Sequence, residues 1–96
     1  MKGGWVYMMA DRYRGTIYTG VTADIGRRVE QHRSDGGSRF VKRYGLSHLV
    51  YTQWHDEIVS AIEQEKAIKK WRRQWKIDLI EEANPDWLDL TPLMNA

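Results

Sequence analysis

The chain has 96 residues and a mass of 11.3 kDa, which suits one small domain with a modest core and excludes a multidomain enzyme. It contains no cysteine, so a disulfide scaffold, a cysteine-ligated zinc site and a thiol nucleophile are excluded. The net charge of +2 hides a segregation, because residues 1–76 carry +7 and residues 77–96 carry −5. We therefore expect the basic body of the chain to meet a polyanion.

The sequence predicts a single domain over 1–96, with a core at about 4–80 and an acidic C-terminal extension over 81–96 that packs on it. No run of residues approaches the roughly 18 apolar positions of a membrane span. The first residues also lack the apolar region of a signal peptide. These features predict a cytoplasmic protein without a membrane segment.

The first half of the chain predicts a β-hairpin followed by a helix. An aromatic and apolar run over 5–10 and a β-branched run over 16–22 flank a short polar segment, as two paired strands do. Thr22 is the expected N-cap of a helix over 23–34, which carries Asp24 in its first turn.

The second half predicts one more strand and two helices. A helical turn is expected over 39–44, a strand over 46–54, and a helix over 57–71 capped by Asp56. A last helix over 74–83 ends where Asn84 precedes Pro85, because the residue before a proline avoids the helical conformation. The chain is thus predicted to be an α/β protein with a three-stranded sheet flanked by helices, in the order β-β-α-β-α-α.

Polar residues on apolar helix faces are the first candidate site residues. On the first helix, Ile25, Val29 and His32 share one stripe, and Arg28 falls beside it while Arg27 is expected on the opposite, solvated side. Arg28 is either a functional cation held toward the hairpin or a residue at the edge of the stripe that extends to solvent.

The second long helix places an acid in the same kind of position. Glu65 lies near the centre of the face formed by Ile58, Ala61, Ile62 and Ile68. A buried carboxylate needs a cation, so Glu65 is expected either in an ion pair, for instance with Arg28, or on a divalent metal.

Two tyrosines lie on the predicted hairpin. If the loop is 11–14, Tyr7 pairs directly opposite Tyr18, beside Gly20, whose missing side chain permits close approach. The pair is either a cross-strand contact that stabilises the sheet or two phenols of an active site.

A basic run over 66–76 carries six cations and no acid, with two tryptophans interleaved. This composition favours either contact with a phosphate backbone or a merely soluble basic face. The residues predicted to bind nucleic acid are Gly20, Lys66, Lys69, Lys70, Arg72 and Arg73.

In combination, these residues resemble the GIY-YIG nuclease domain, and in particular its small stand-alone bacterial members. The resemblance rests on Trp5-Val6-Tyr7, on Tyr18-Thr19-Gly20 and on the R-R-V-E-Q-H pattern that contains Arg28 and His32. It rests also on the helix that carries Ala61 and the run Glu65-Lys66-Ala67-Ile68-Lys69. Neither triplet has the letters that give the family its name, but the tyrosines and the closing glycine are present.

The resemblance implies roles for five catalytic residues. Tyr7 and Tyr18 are the two motif tyrosines, Arg28 is the phosphate-contacting arginine and His32 is an active-site helper. Glu65 is implied to be the single carboxylate on a Mg²⁺ or Mn²⁺ ion. An asparagine often follows the metal helix in this family, and either Asn84 or no residue takes that role here.

The implied function is a divalent-metal-dependent endonuclease that hydrolyses phosphodiesters in DNA, with RNA not excluded and with structure-selective action in DNA repair or recombination as one option. The alternatives are a catalytically silent nucleic-acid-binding module and a nuclease subunit that acts only with a protein partner that supplies the target.

Overall fold

A computed structural model describes residues 2–33 and 48–94, with side chains described over 2–31 and 48–94. The strands and helices are β1 (Gly4–Ala10), β2 (Ile17–Thr22), α1 (Ile25–Arg33), β3 (His48–His55), α2 (Ile58–Lys69), α3 (Arg73–Ala83) and α4 (Thr91–Met94). The α/β class and the predicted order β-β-α-β-α-α are confirmed, and the short α4 follows the predicted elements. The helical turn expected over 39–44 lies outside the described residues. Within the described ranges, no helix has both the length and the apolar character needed to cross a membrane.

The sheet is antiparallel with the strand order β2-β1-β3, so β1 is central and β2 forms one edge. Successive residues of β1 point to opposite faces and are buried on both. Val6, Met8 and Ala10 face α2 and α3, whereas Tyr7 and Met9 face the side that holds α1. The central strand is therefore nearly continuous in apolar residues rather than alternating, because both of its faces are covered.

The hairpin register differs from the expected one by two residues. Tyr7 lies opposite Gly20, and Tyr18 lies opposite Met9, because the connection spans 11–16 rather than 11–14. The Asp11 side chain holds this longer loop by accepting a hydrogen bond from the Thr16 backbone N–H at 2.8 Å. A shift of two residues keeps every side chain on its face, so the two tyrosines stay on the same side as diagonal neighbours.

Both predicted helix caps are wrong by one or two residues. Asp24, not Thr22, caps α1, since its Oδ1 accepts from the Arg27 N–H at 3.1 Å while Thr22 Oγ1 accepts from the Asp24 N–H. Glu57, not Asp56, occupies the N-cap position of α2, and it makes no side-chain cap bond. Asp56 instead accepts a hydrogen bond from the indole of Trp54 at 3.0 Å.

A β-bulge in β3 connects the sheet to the C-terminal residues. Met8 pairs with Tyr51 and Met9 with Leu49, which leaves Val50 as the extra residue. Asn84, which ends α3 as predicted, is buried and donates from Nδ2 to the Val50 carbonyl at 3.0 Å. The same amide donates to the Leu88 carbonyl and accepts from the Leu88 N–H, so Asn84 ties the bulge to the chain beyond α3.

Candidate active site

The Tyr7 ring lies over Gly20, its direct partner on the edge strand β2. A Cβ placed on Gly20 would stand 2.5 Å from the Tyr7 hydroxyl and 2.6 Å from its Cζ. Only glycine leaves room for a phenol at this point, and the ring thereby extends across β2 toward the edge of the sheet. The glycine of the second motif is therefore explained by the position of the tyrosine of the first.

The two motif tyrosines form a pair despite the changed register. Their ring centroids are 6.2 Å apart at an interplanar angle of 45°, and their side chains are hydrogen-bonded. Tyr7 is 1% exposed, and this burial raises its pKa above the ordinary value of 10.0. Tyr18 raises the pKa of Tyr7 further, so the Tyr7 phenol holds its proton firmly in the protein alone.

Two more of the predicted residues act on the same phenol. The positive charge of Arg28 lowers the pKa of Tyr7, and the negative charge of Glu65 raises it. Electrostatic effects of this kind require proximity, since they fall off with distance and are screened in solvent. Tyr7 therefore lies within electrostatic range of Arg28 and Glu65 and packs against Tyr18. These four residues come from four different elements.

The site straddles the edge of the sheet. Tyr7 and Tyr18 belong to the face that holds α1, whereas Glu65 comes from α2, which packs on the other face. Because β2 is an edge strand, no further strand separates the two faces on its outer side. A carboxylate from one face and two phenols from the other thus belong to the part of the sheet that ends at β2.

Glu65 is 9% exposed and pairs with the lysine one turn later. Its Oε1 atom lies 3.1 Å from Nζ of Lys69, whose side chain is 51% exposed. The ion-pair alternative for Glu65 is thus realised with Lys69 rather than with Arg28. Lys69, which was predicted to contact nucleic acid, also serves as the counterion of the buried acid.

The donors at this place fit a magnesium-type ion. Across the residues with described side chains, no three His, Cys, Asp or Glu residues cluster as a metal cage. Mg²⁺ commonly keeps several waters and takes one or two carboxylates, with substrate phosphate supplying further oxygens. A single buried carboxylate with phenol oxygens nearby matches that donor set, and Lys69 would have to give up its contact to admit the ion.

Arg28 lines a cleft of about 430 Å³ between the start of α1 and α2. Its other lining residues are Val21, Thr22, Ala23, Asp24, Arg27, Gln31, Ile58 and Ile62. The expectation that Arg27 points to the opposite side is wrong, since Arg27 and Arg28 line the same cleft. Both side chains are exposed, so Arg27 is solvated as expected although it shares the cleft with Arg28.

His32 lies in the last part of α1, but its side chain is outside the described residues. Its predicted role as an active-site helper therefore stays a prediction.

Among the predicted nucleic-acid-binding residues of the basic run, two lysines are exposed and two arginines have contacts within the protein. Lys66 and Lys70 are exposed near the end of α2. Arg72 lies over the ring of Trp75, with its Cζ 5.0 Å from the centroid. Arg73 donates from Nη2 to the carbonyls of Arg14 and Gly15, so it holds the hairpin loop against α3.

Lys76 was not among the predicted site residues, yet it lines a groove of about 290 Å³ with Ile17, Tyr18, Thr19 and Lys69. Its place in the basic run was the available signal. Spacing alone could not show that this lysine, rather than its neighbours, turns toward the edge of β2.

The comparison with known proteins agrees with the sequence pattern. Residues 3–78 match the model of the family described as the GIY-YIG catalytic domain. UPF0213 proteins of Staphylococcus aureus strains Mu3 and Mu50 are each 37% identical to the chain over 68 residues, which cover 71% of this chain and 83% of the relative.

A solved structure is also similar over nearly the full length. The solution NMR structure of a UPF0213 protein from Bacillus halodurans has a TM-score of 0.57 and 27% sequence identity, and the match covers 95% of this chain and 96% of that one.

Proposed function

The chain belongs to the GIY-YIG family, whose members are generally nucleases that act on DNA and use divalent metals, and from this premise we propose that it is a Mg²⁺- or Mn²⁺-dependent DNA endonuclease. The observation that supports the proposal is the pairing of Tyr7 with Tyr18, with Arg28 and Glu65 both in electrostatic range of Tyr7. Structure-selective cutting in repair or recombination belongs to the proposal, and the cytoplasmic location stays a prediction.

In the proposed reaction, water attacks a DNA phosphorus atom, the bond from phosphorus to the 3′ oxygen breaks, and the attacking water loses a proton. Tyr7 is proposed to release its own proton to solvent when the substrate binds and then, as a phenolate, to take the proton of the water, while Tyr18 and His32 orient the water. The departing 3′ oxygen takes a proton from solvent. Because burial, Tyr18 and Glu65 all raise the pKa of Tyr7, this tyrosine is protonated before substrate and metal bind. Arg28 acts in the opposite direction by lowering its pKa.

Arg28 and Glu65 are proposed to handle the developing negative charge. The planar guanidinium of Arg28 donates two hydrogen bonds to phosphoryl oxygens, for which its exposed position in the cleft leaves access. Glu65 would hold the divalent ion, which when bound supplies Lewis-acid stabilisation of the leaving oxygen. Lys66, Lys69, Lys70, Arg72 and Arg73 are proposed to contact the DNA. The prediction that Gly20 does so is wrong, because Gly20 is buried against the Tyr7 ring.

Cleavage of a labelled panel of single-stranded, duplex, flap and four-way-junction DNA tests this function. Wild type is compared with Glu65→Ala in Mg²⁺, Mn²⁺ or chelator. We expect metal-dependent cutting by wild type that the variant loses by at least about 100-fold, and the ranking of substrates identifies the target class.

The competing functions give different outcomes in the same panel. Salt-sensitive binding without cutting in any metal would indicate the silent binding module. Cutting that begins only when a protein partner is added would indicate the partner-dependent subunit. The presence of both Arg28 and Glu65 favours the active enzyme, because a silent module has no need for either.

A further inference from the structure

Two clefts flank the candidate active site along the outer edge of β2. The groove that contains Lys69 and Lys76 is lined by Ile17, Tyr18 and Thr19 at the start of the strand. The cleft that contains Arg27 and Arg28 is lined by Val21 and Thr22 at its end. Consecutive strand residues point to opposite faces, so an opening lined by consecutive residues wraps around the edge itself.

Each cleft carries two cations, and Tyr7 lies between them, opposite Gly20, while Tyr18 lines the groove that contains Lys69 and Lys76. Five residue steps separate Ile17 from Thr22, which corresponds to roughly 17 Å of strand. A DNA strand carries a phosphate about every 3.4 Å along a B-form helix axis, so this edge is long enough for several phosphates. The edge strand adds outward N–H groups that are not used by the sheet.

The surrounding acids leave this track positive. Asp24 lines the cleft with Arg27 and Arg28, but its carboxylate is engaged in capping α1 through the Arg27 N–H. Glu65 is paired with Lys69. The acidic residues Asp78 and Glu82 line a different pocket, with Trp71, Trp75 and Leu79.

We propose that the substrate strand runs along the outer edge of β2, with Lys76 binding a backbone phosphate on one side of the cleaved bond and Arg27 binding one on the other. This inference rests on the proposed function and deepens it by giving the path of the DNA strand across the protein. Arg27 and Lys76 thereby act as DNA-binding residues in addition to those predicted from the sequence.

Oligonucleotide binding in chelator, measured over a series of salt concentrations, tests both residues without any cleavage. Arg27→Met and Lys76→Met each remove one charge while keeping an aliphatic chain. We expect each to weaken binding by about fivefold and to reduce the slope of log K against log salt by about 1, and the double variant to reduce it by about 2. Lys2→Met, at an exposed lysine that lines neither cleft, is the matched control and should bind as wild type does.

Lys76→Arg and Arg27→Lys keep the charges and should retain most of the affinity, which separates loss of charge from loss of fold. The opposite placement is tested with DNA in which single phosphates are replaced by neutral methylphosphonates. The affinity of Arg27→Met should not change further when a phosphate on one side of the cleaved bond is made neutral. The affinity of Lys76→Met should not change further when a phosphate on the other side is made neutral.

Variants that bind like wild type, or that respond to the same phosphates, would overturn the inference while leaving the nuclease proposal standing. Weakened binding on opposite sides without cleavage in any metal would support the track and contradict the nuclease. Absence of any oligonucleotide binding by wild type would contradict both.

Discussion

At the scale of single residues, the candidate site depends on a missing side chain. Gly20→Ala would place a Cβ within 3 Å of three atoms of the Tyr7 side chain, and Tyr7 is too buried to move aside freely. We expect the variant to lose about 1–3 kcal/mol of stability and to displace the phenol, with cleavage falling more than stability alone explains. Urea unfolding beside single-turnover cleavage measures both effects. Full cleavage by a folded Gly20→Ala protein would show that the position of this phenol does not matter.

The buried phenol also predicts how stability depends on pH. The pKa of Tyr7 is raised in the folded protein relative to the ordinary 10.0, so the folded state holds this proton when the unfolded chain has lost it. The stabilisation is complete below pH 10 and is lost as the pH rises above it. Wild type should therefore lose free energy of unfolding more steeply than Tyr7→Phe as the pH rises above about 10. Tyr13→Phe, at an exposed tyrosine, should follow the wild-type curve.

The Glu65–Lys69 pair predicts a link between metal and stability. Lys69→Met leaves a buried carboxylate without its counterion, so in chelator the variant should be less stable by about 1 kcal/mol, a modest value because Lys69 is half exposed. A divalent ion replaces the lost charge, so Mg²⁺ or Mn²⁺ should stabilise the variant more than wild type. Thermal unfolding with and without metal measures the difference. If the double variant Glu65→Gln/Lys69→Met gained as much thermal stability from the metal as Lys69→Met does, the metal would bind somewhere other than Glu65.

At the scale of elements, the sequence predicted which strands and helices form but not their details. The apolar runs and the polar segments between them predicted three strands and three helices, because residues that are buried in the core must recur with the period of the strand or helix that carries them. The register of the hairpin was missed because it depends on how Asp11 and Arg73 hold the loop, and these contacts are 5 and 58 or more residues apart along the chain. The same limit applies to Arg27, since its direction depends on the position of α2 beside α1.

Asn84 is the clearest case of a residue whose role only the assembled elements reveal. It is 6% exposed, and its amide bonds both the bulge at Val50 and the chain at Leu88. Asn84→Ala should cost roughly 2–3 kcal/mol, because three hydrogen bonds are lost and a bulge carbonyl is left buried. Cleavage per folded molecule should stay at the wild-type level, in contrast to Glu65→Ala. A selective loss of cleavage with unchanged denaturant midpoint would assign Asn84 to the active site instead.

At the scale of the whole molecule, the charge segregation seen in the sequence becomes a spatial arrangement. The Arg14 guanidinium donates two hydrogen bonds of 2.7 Å to Glu81, and the Trp87 indole donates to the same carboxylate. Trp87 is 4% exposed within the core cluster that contains Val6 and Ile80. One acid of the C-terminal region is therefore used to hold the hairpin loop, while cations from three helices surround the edge of β2.

The central claim is that residues from both faces of the sheet act as one catalytic unit at the edge of β2. The most direct measurement is the single-turnover rate of Mg²⁺-dependent hydrolysis for Arg28→Lys, Glu65→Gln and the double variant, on the substrate that wild type cuts best. We predict that each single variant loses at least about 100-fold in rate and that the double variant is scarcely slower than either, because members of one unit are not additive. Cleavage by Glu65→Gln at the wild-type rate would contradict the claim.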